Sequence, residues 1–209
     1  TRTSMARIPE GTAVQLSFEG RSAAVTGGAG GIGAATVRLL AESGARVTFA
    51  DLPGEKGDEV ARVLTSAGYD VTFVPTDVAD AQACEAFIAT ACKDGGQYLL
   101  VNNAAIRNYA TVAEADDDSW QHMLGINLMG YVRCARAAIP RLAGRPGANV
   151  VNIASIRSVM AGRATVQYDT IKASILGLTR SMARDHADQG IRVNAVGPGP
   201  IFTDFHVGR

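Results

Sequence analysis

The amino-acid sequence predicts an α/β protein built on a doubly wound parallel sheet, and three observations support this fold class. From Ser22 onward, short β-branched apolar runs alternate with longer alanine-rich segments of helical periodicity, which is typical of repeated βαβ units. A cluster of glycines directly follows the first apolar run. The chain has 209 residues, of which 47% are hydrophobic, and this suits one domain with a sizeable buried core.

The predicted elements alternate along the chain. Strands are predicted at residues 23–25, 46–50, 71–75, 98–101, 149–153 and 192–196. Helices are predicted at residues 31–43, 55–67, 81–92, 119–142 and 168–188, each bounded by glycine, proline or a capping residue. Because parallel strands are joined by right-handed crossovers, this pattern indicates a doubly wound sheet. We expect a polar lead-in at residues 1–17 and a single catalytic domain at residues 18–209.

Charge and cysteine content disfavour several classes of partner. Twenty lysines and arginines balance twenty aspartates and glutamates, so no net field draws the chain to nucleic acid or to an anionic membrane. A small molecule is the expected partner. No apolar run reaches the length of about 18 residues that predicts a transmembrane helix. The odd number of cysteines, all within predicted helices, indicates reduced thiols and a cytoplasmic protein: Cys84, Cys92 and Cys134.

Two other catalytic classes find little support in the sequence. A serine hydrolase is disfavoured because no Gly-x-Ser-x-Gly motif occurs and no histidine is marked as a partner of Ser155. No metal site is expected, since His122, His186 and His206 are widely spaced and form no ligand-like cluster. The acidic run at residues 116–118 precedes a predicted helix, where the helix dipole accounts for it.

A glycine-rich turn follows the first predicted strand and opens the first helix, with the sequence Thr26-Gly27-Gly28-Ala29-Gly30-Gly31-Ile32-Gly33. A helix N-terminus carries unpaired N–H groups and partial positive charge, so it binds a pyrophosphate well where no side chain obstructs the approach. The turn could instead serve only tight packing of strand on helix, but the coincidence of strand, turn and helix favours nucleotide binding. The expected contacts are Gly27, Gly30, Gly31, Ile32 and Gly33.

A carboxylate at the end of the second predicted strand bears on the choice of dinucleotide. Asp51 lies eighteen residues beyond Gly33, where a carboxylate accepts hydrogen bonds from ribose hydroxyls and repels a 2′-phosphate. Leu52 follows it, and the glycine turn contains no arginine or lysine. NAD is therefore expected, with contacts from Asp51 and Leu52, and NADP is disfavoured. The other interpretation is that Asp51 only caps the next loop.

Tyr168 and Lys172 are the candidate catalytic pair. They stand four residues apart at the start of a predicted helix, so their side chains share one face. A phenol has a pKa near 10, and a neighbouring ammonium lowers that pKa toward the working range. Ser155, just after the fifth predicted strand, can hydrogen-bond a substrate oxygen and orient it toward Tyr168. The three residues predict acid/base chemistry at an alcohol or a carbonyl.

Over about residues 20–203 the chain resembles the short-chain dehydrogenase/reductase family. The resemblance rests on the glycine turn, the Tyr168 and Lys172 motif, and three further segments: Thr76-Asp77-Val78, Asn102-Asn103-Ala104-Ala105, and the run from Asn194 to Thr203. It implies a Rossmann-type sheet with strand order 3-2-1-4-5-6. It also implies that Asn127 completes a catalytic tetrad and supports a water-linked proton path to Lys172. It also implies cofactor contacts from Asp77, Val78, Asn103, Ala104, Tyr168, Lys172, Pro198, Gly199, Ile201 and Thr203, and a homo-oligomer, either a tetramer or a dimer.

The sequence departs from the family pattern in two ways. Ala105 stands where glycine is commoner, and Thr170-Ile171 stands where the tyrosine-lysine motif often has Ala-Ser. Members of the family usually continue past the Thr203 region into a substrate-covering helical segment and a seventh strand, whereas this chain stops at Arg209. A seventh strand is therefore not expected in the given chain.

The predicted function is hydride transfer between NAD(H) and a secondary alcohol or ketone, with Tyr168 as general acid and base. The substrate pocket is expected near Ile106, Arg107 and Arg157. The sequence does not decide among a sugar, a polyol, a hydroxy acid and an oxoacyl compound as the substrate. The alternative is a non-catalytic NAD-binding or scaffold protein of the same fold.

Overall fold

The computed structural model describes residues 17–93 and 98–203, and within them it contains six strands and six α-helices. The strands are β1 (Ser22–Thr26), β2 (Arg46–Asp51), β3 (Val71–Pro75), β4 (Leu99–Asn102), β5 (Asn149–Ile153) and β6 (Arg192–Val196). The helices are α1 (Gly31–Glu42), α2 (Glu55–Ser66), α3 (Ala81–Cys92), α4 (Asp117–Asn127), α5 (Met129–Leu142) and α6 (Val166–Asp185). A single 3-10 turn, Ile156–Ser158, follows β5.

The strands form one parallel sheet in the order β3-β2-β1-β4-β5-β6. The predicted doubly wound architecture and its strand order are confirmed. Every residue of β1 is buried, because helices cover both faces of the central strands. Burial on both faces explains why the β1 sequence lacks the alternation of polar and apolar residues that is typical of a strand with one exposed face.

Two apolar clusters hold the helices against the sheet. On one face, Val25 and Phe49 pack with residues of α1 and α2, including Val37 and Leu64. On the other face, Leu100 and Val150 pack with α3, α5 and part of α6 through Phe87, Cys134, Ala138 and Met182. The two clusters fix β1 and β4 as the centre of the molecule. The carboxyl ends of these strands lie together at one edge of the sheet.

The predicted helix over residues 119–142 is wrong as a single element. The structure divides it into α4 and α5 at Leu128, whose φ of −114° departs from helical geometry. Asn127, the last residue of α4, uses its side-chain amide to bond the backbone of Ile106 in the loop after β4. This long-range contact fixes the end of α4 at that point, and no local sequence pattern encodes it.

Smaller differences affect the ends of other elements. The last helix begins at Val166, two residues before its predicted start, and ends at Asp185. The predicted lead-in at residues 1–17 lies outside the described residues except for its last position, and it stays a prediction. In the part of the chain that the structure describes, no helix combines the length and apolar character needed to cross a bilayer.

Candidate functional site

A cleft of about 840 Å³ runs along the carboxyl edge of the sheet, where the strand order reverses between β1 and β4. Parallel doubly wound sheets bind ligands at this position, and the volume is within the range of small-molecule sites. All but two of the predicted site residues line the cleft: Gly27, Gly30, Gly31, Ile32, Asp51, Leu52, Asp77, Val78, Asn103, Ala104, Ile106, Arg107, Ser155, Arg157, Tyr168, Lys172, Pro198, Gly199, Ile201 and Thr203. The exceptions, Gly33 and Asn127, lie behind its wall.

The glycine turn brings backbone, rather than side chains, to the wall of the cleft. A Cβ atom on Gly33 would stand 1.9 Å from the carbonyl oxygen of Gly27, so glycine is required there for α1 to start directly behind the turn. At Gly30, by contrast, a Cβ atom would meet nothing within 4 Å. Helix α1 begins without a side-chain cap or an acidic residue in its first turn. Its free N–H groups and dipole therefore favour an anion.

Asn103 fastens this turn to the end of β4. Its Nδ2 donates to the carbonyl oxygens of Thr26 and Gly27 at 3.1 and 3.0 Å. The Oγ1 of Thr26 accepts in return from the backbone N–H groups of Asn103 and Ala104, at 3.0 and 3.1 Å. The Asn103 side chain therefore braces the glycine turn, a role that the sequence interpretation, which treats it only as a cofactor contact, does not include.

Two backbone hydrogen bonds orient Asp51 at the end of β2. Its Oδ2 accepts from the N–H of Ala29 and its Oδ1 from the N–H of Leu52, both at 2.9 Å. The carboxylate is thus held beside the glycine turn, as the ribose-binding hypothesis requires. Lys56, in the first turn of α2, lines the same end of the cleft. Sequence reasoning missed this lysine because it considered only the turn itself and the residue after Asp51.

Lys172 is buried deep in the cleft, with 2% of its surface exposed. Its Nζ donates to the carbonyl oxygen of Ile153 at 2.7 Å and to the hydroxyl of Tyr131 at 3.3 Å. The same atom lies 5.7 Å from the ring centroid of Tyr168. Burial lowers the pKa of Lys172 to about 7. Tyr131, on α5, is a contact that the sequence did not predict, since it depends on the packing of α5 against β5.

The electrostatics of Tyr168 differ from the sequence-based expectation. Burial raises its pKa, while a hydrogen bond with Ser155 and the charges of Arg107 and Arg157 oppose the rise. The expectation assigned the lowering of this pKa to Lys172, but Lys172 is itself desolvated and loses its charge easily. The two arginines are the cations that act on the phenol in the structure.

The loop that carries Ser155 is tied to the helix that carries Tyr168. Ser158 donates from its hydroxyl to the carbonyl oxygen of Lys172 at 2.7 Å and accepts from the N–H of Ser155 at 3.3 Å. The Ser155 hydroxyl also accepts from the N–H of Arg157 at 3.1 Å. The spacing between Ser155 and Tyr168 is therefore set by a short hydrogen-bonded frame.

Asn127 is fully buried at the end of α4. Its Oδ1 accepts from the N–H of Ile106 and its Nδ2 donates to the carbonyl oxygen of Ile106, both at 2.8 Å. This pair of bonds holds the loop that leads from β4 into the cleft. The water-linked path from Asn127 to Lys172 stays a prediction.

Acidic and thiol side chains do not gather into a metal site in residues 17–93 and 98–203, where no group of three or more potential histidine, cysteine or carboxylate ligands occurs. At this end of the cleft the functional groups are the phenol of Tyr168, the hydroxyl of Ser155, the buried amine of Lys172 and the guanidinium groups of Arg107 and Arg157. This set can move a proton and hold an oxygen atom of a ligand.

The burial of Lys172 gives the stability of the fold a pH dependence. Its folded-state pKa of about 7 lies below the ordinary value of 10.5, so between these values the unfolded chain binds more protons than the folded chain. We expect the free energy of unfolding of the wild type, relative to Lys172→Met, to increase as the pH rises from about 7 to about 10. Urea unfolding at pH 6, 8 and 9.5 measures this. Lys56→Met, at an exposed lysine, should keep the wild-type slope, and equal slopes in all three proteins would contradict the assignment.

Comparisons with known proteins agree with this geometry. The short chain dehydrogenase family model matches residues 21–208. The chain is 40% identical to the cis-4-hydroxycyclohexanecarboxylate dehydrogenase of Sinomonas cyclohexanicum over 194 residues, which cover 92% of this chain and 78% of the relative. A dehydrogenase/reductase from Sinorhizobium meliloti 1021 is 31% identical with a TM-score of 0.87, covering 91% of this chain and 76% of that one. A short chain dehydrogenase from Burkholderia cenocepacia J2315, solved with NADP, is 30% identical with a TM-score of 0.85, covering 91% and 78%.

Proposed function

Because the chain belongs to the short-chain dehydrogenase family, whose members are nicotinamide-dependent oxidoreductases, we propose that it transfers a hydride between NAD(H) and a secondary alcohol or its ketone. The observation that carries the proposal is the position of Tyr168. Its phenol lies in the cleft with Ser155, on the same carboxyl edge of the sheet as the glycine turn. A proton-transfer group and a dinucleotide cradle thus share one cavity.

The residues of the cleft suit a nicotinamide dinucleotide. The unobstructed surface at Gly30 and the uncapped start of α1 would hold the pyrophosphate. Asp51 would accept hydrogen bonds from the adenosine ribose, and Asp77 and Val78 would flank the adenine. At the other end, the segment from Pro198 to Thr203 would hold the nicotinamide half. When bound, the dinucleotide supplies the acceptor or the donor of the hydride.

The chain's own residues handle the proton. In the direction of oxidation, the Tyr168 phenolate oxygen removes the proton of the substrate hydroxyl, and in reduction the phenol returns it. Ser155 donates a hydrogen bond to the substrate oxygen and holds it toward Tyr168. Arg107 and Arg157 favour the phenolate, and Lys172, with a pKa of about 7, adds a positive charge beside the phenol only while it is protonated. Asn127 acts in this scheme by fixing the loop at Ile106.

The choice of NAD over NADP rests on Asp51, and Lys56 opposes it. A carboxylate held by two backbone N–H groups cannot turn away from a 2′-phosphate, whereas the exposed Lys56 is free to reorient in solvent. We expect kcat/KM with NAD to exceed that with NADP by about 100-fold or more, and Asp51→Ser to reduce this ratio at least 10-fold. Lys56→Ala is the matched control and should change the ratio only a few-fold. A wild type that prefers NADP would contradict the assignment.

Hydroxy acids come first among the substrate classes that the sequence leaves open. The relative from Sinomonas cyclohexanicum is named for a ring alcohol that also carries a carboxylate. We rank sugars, polyols and oxoacyl compounds after the hydroxy acids as candidate substrates. By analogy with the family, we also propose a cytoplasmic homo-oligomer, a tetramer or a dimer, which sedimentation velocity of the purified protein would test.

The experiment that tests the function is a substrate panel followed by nicotinamide absorbance at 340 nm. The panel contains hydroxycyclohexanecarboxylates, linear hydroxy acids, polyols and neutral cyclic alcohols, each with NAD and with NADP. Turnover of at least one secondary alcohol supports the dehydrogenase. Dinucleotide binding with no turnover across the panel, in either direction, would favour the scaffold alternative instead.

A further inference from the structure

Two arginines flank the candidate catalytic tyrosine. The Cζ atom of Arg107 lies 5.2 Å from the ring centroid of Tyr168 and 4.7 Å from that of Tyr109, so its guanidinium is within cation–π distance of both rings. Arg157 follows Ser155 by two residues and lines the same wall of the cleft. Its charge also acts on the Tyr168 phenol. Both cations therefore lie beside the group that would face the substrate.

The protein does not neutralise these charges among the residues that the structure describes. The ion pairs there join Arg62 to Glu59 and Arg141 to Glu85, and neither Arg107 nor Arg157 takes part in one. The Nε of Arg107 is buried and has no hydrogen-bond partner within this part of the chain. Both arginines are half-buried, and a partly desolvated guanidinium without an ion-pair partner can form charge-assisted hydrogen bonds with an anionic ligand.

Asp169, which follows Tyr168 directly, does not serve as that ion-pair partner. Its Oδ2 accepts from the N–H of Gly162 at 2.7 Å and from the hydroxyl of Thr165 at 2.8 Å. The Oδ1 of Asp169 is buried without a hydrogen-bond partner among the described residues, and the charge of this carboxylate raises the pKa of Tyr168. No ion pair joins Asp169 to Arg107 or Arg157 in this part of the chain, so both guanidinium groups can still pair with an anion in the cleft.

Charge is segregated along the cleft. The acidic lining residues are Asp51, Glu55 and Asp77, which lie at or just after the ends of β2 and β3 or at the start of α2, with Lys56 among them. In the lining that follows β4 and β5 and on α6, around Tyr168, the charged residues are Arg107, Arg157 and Lys172, with no carboxylate. A substrate carboxylate beside Tyr168 therefore meets positive charge and no acidic lining residue.

We propose that Arg107 and Arg157 form a carboxylate-binding subsite, and that the substrate is a hydroxy acid whose carboxylate contacts these guanidinium groups while its carbinol faces Tyr168. The planar donor fork of arginine matches the two oxygens of a carboxylate, which a lysine at either position would not do as well. The inference rests on the proposed function, since it names the substrate class of that same site. It adds the requirement that the substrate carry a negative charge, which hydride transfer itself does not impose.

A binding experiment tests the subsite without relying on turnover. Isothermal titration calorimetry of the protein, with and without saturating NAD, would compare cyclohexanecarboxylate with cyclohexanecarboxamide, which has the same shape and no charge. Neither compound has a hydroxyl to oxidise. We expect saturable binding of the carboxylate to the NAD-loaded protein and binding of the amide that is at least 10-fold weaker.

Three variants assign the binding to the arginines. Arg107→Gln and Arg157→Gln should each weaken binding of the carboxylate at least 10-fold, whereas Arg163→Gln, at an exposed arginine outside the cleft, should match the wild type. Retained NADH affinity shows that a variant is folded. If Arg107→Gln does not fold, Arg157→Gln decides the assignment.

Distinct outcomes contradict the two proposals. Equal binding of carboxylate and amide, no saturable binding of the carboxylate, or unchanged binding in the two arginine variants would overturn the subsite, and Arg107 would then serve only to pack Tyr168. Absence of turnover across the substrate panel would count against the dehydrogenase function but not against the subsite. Turnover of neutral alcohols in preference to hydroxy acids would support the function and overturn the subsite.

Discussion

Tyr168→Phe is expected to lose about three orders of magnitude in kcat with the best substrate of the panel while it keeps the NADH affinity of the wild type. Phenylalanine keeps the aromatic ring against Arg107 and the packing at the start of α6. The substitution removes only the oxygen that holds and releases the proton. General acid/base groups contribute about 10²- to 10⁴-fold to enzymatic rates. Steady-state kinetics and fluorescence titration with NADH provide the two measurements.

A second tyrosine provides a matched control. Tyr109 also stacks on Arg107, at 4.7 Å, but it is half exposed and does not line the cleft. Tyr109→Phe also removes a phenolic hydroxyl from a ring beside Arg107, but this hydroxyl is not in the cleft. The variant should keep kcat within a few-fold of the wild type. Activity of Tyr168→Phe at a comparable level would show that another group carries the proton.

Gly33→Ala is expected to destabilise the protein by at least about 3 kcal/mol and to abolish dinucleotide binding. The added methyl carbon would stand 1.9 Å from the carbonyl oxygen of Gly27 and 2.6 Å from the Nδ2 of Asn103. The first of these is a backbone atom and cannot rotate away, so α1 must move off β1. Urea unfolding measures the free energy, and NADH fluorescence measures binding.

Gly30→Ala, three residues earlier in the same turn, separates stability from binding. Its φ of −157° suits any residue, and its Cβ would meet no protein atom within 4 Å. Stability should change by about 0.5 kcal/mol or less, while NADH affinity falls because the methyl group occupies the surface proposed for the pyrophosphate. Equal stability losses in the two variants would contradict the distinction, and unchanged NADH affinity in Gly30→Ala would contradict the pyrophosphate assignment.

Local patterns predict the sheet and most of the cleft. The alternation of strands and helices, with right-handed crossovers, gives the doubly wound class, and the family resemblance adds the strand order. Because the carboxyl ends of parallel strands meet at one edge, the same order also predicts that the glycine turn, Asp51 and Ser155 come together. The spacing of Tyr168 and Lys172 within one helical turn requires no tertiary information.

What the sequence does not predict depends on contacts between distant segments. The break between α4 and α5 follows from the bonds of Asn127 to Ile106, and the Tyr131 contact of Lys172 follows from the packing of α5. The degree of burial at Lys172 is likewise a tertiary property. For that reason the sequence suggests that the ammonium of Lys172 lowers the pKa of Tyr168, whereas desolvation dominates the pKa of both groups in the structure.

The two hydrogen bonds between the side chain of Asn127 and the backbone of Ile106 connect α4 to the loop that carries Arg107. Arg107 is the next residue after Ile106, so we expect a tilt of α4 to be transmitted through these two hydrogen bonds to the guanidinium of the proposed subsite. Mutations inside α4 that never touch a ligand are then expected to change which alcohols react. Laboratory evolution toward neutral alcohols should therefore mutate the buried positions of α4 as well as the residues that line the cleft.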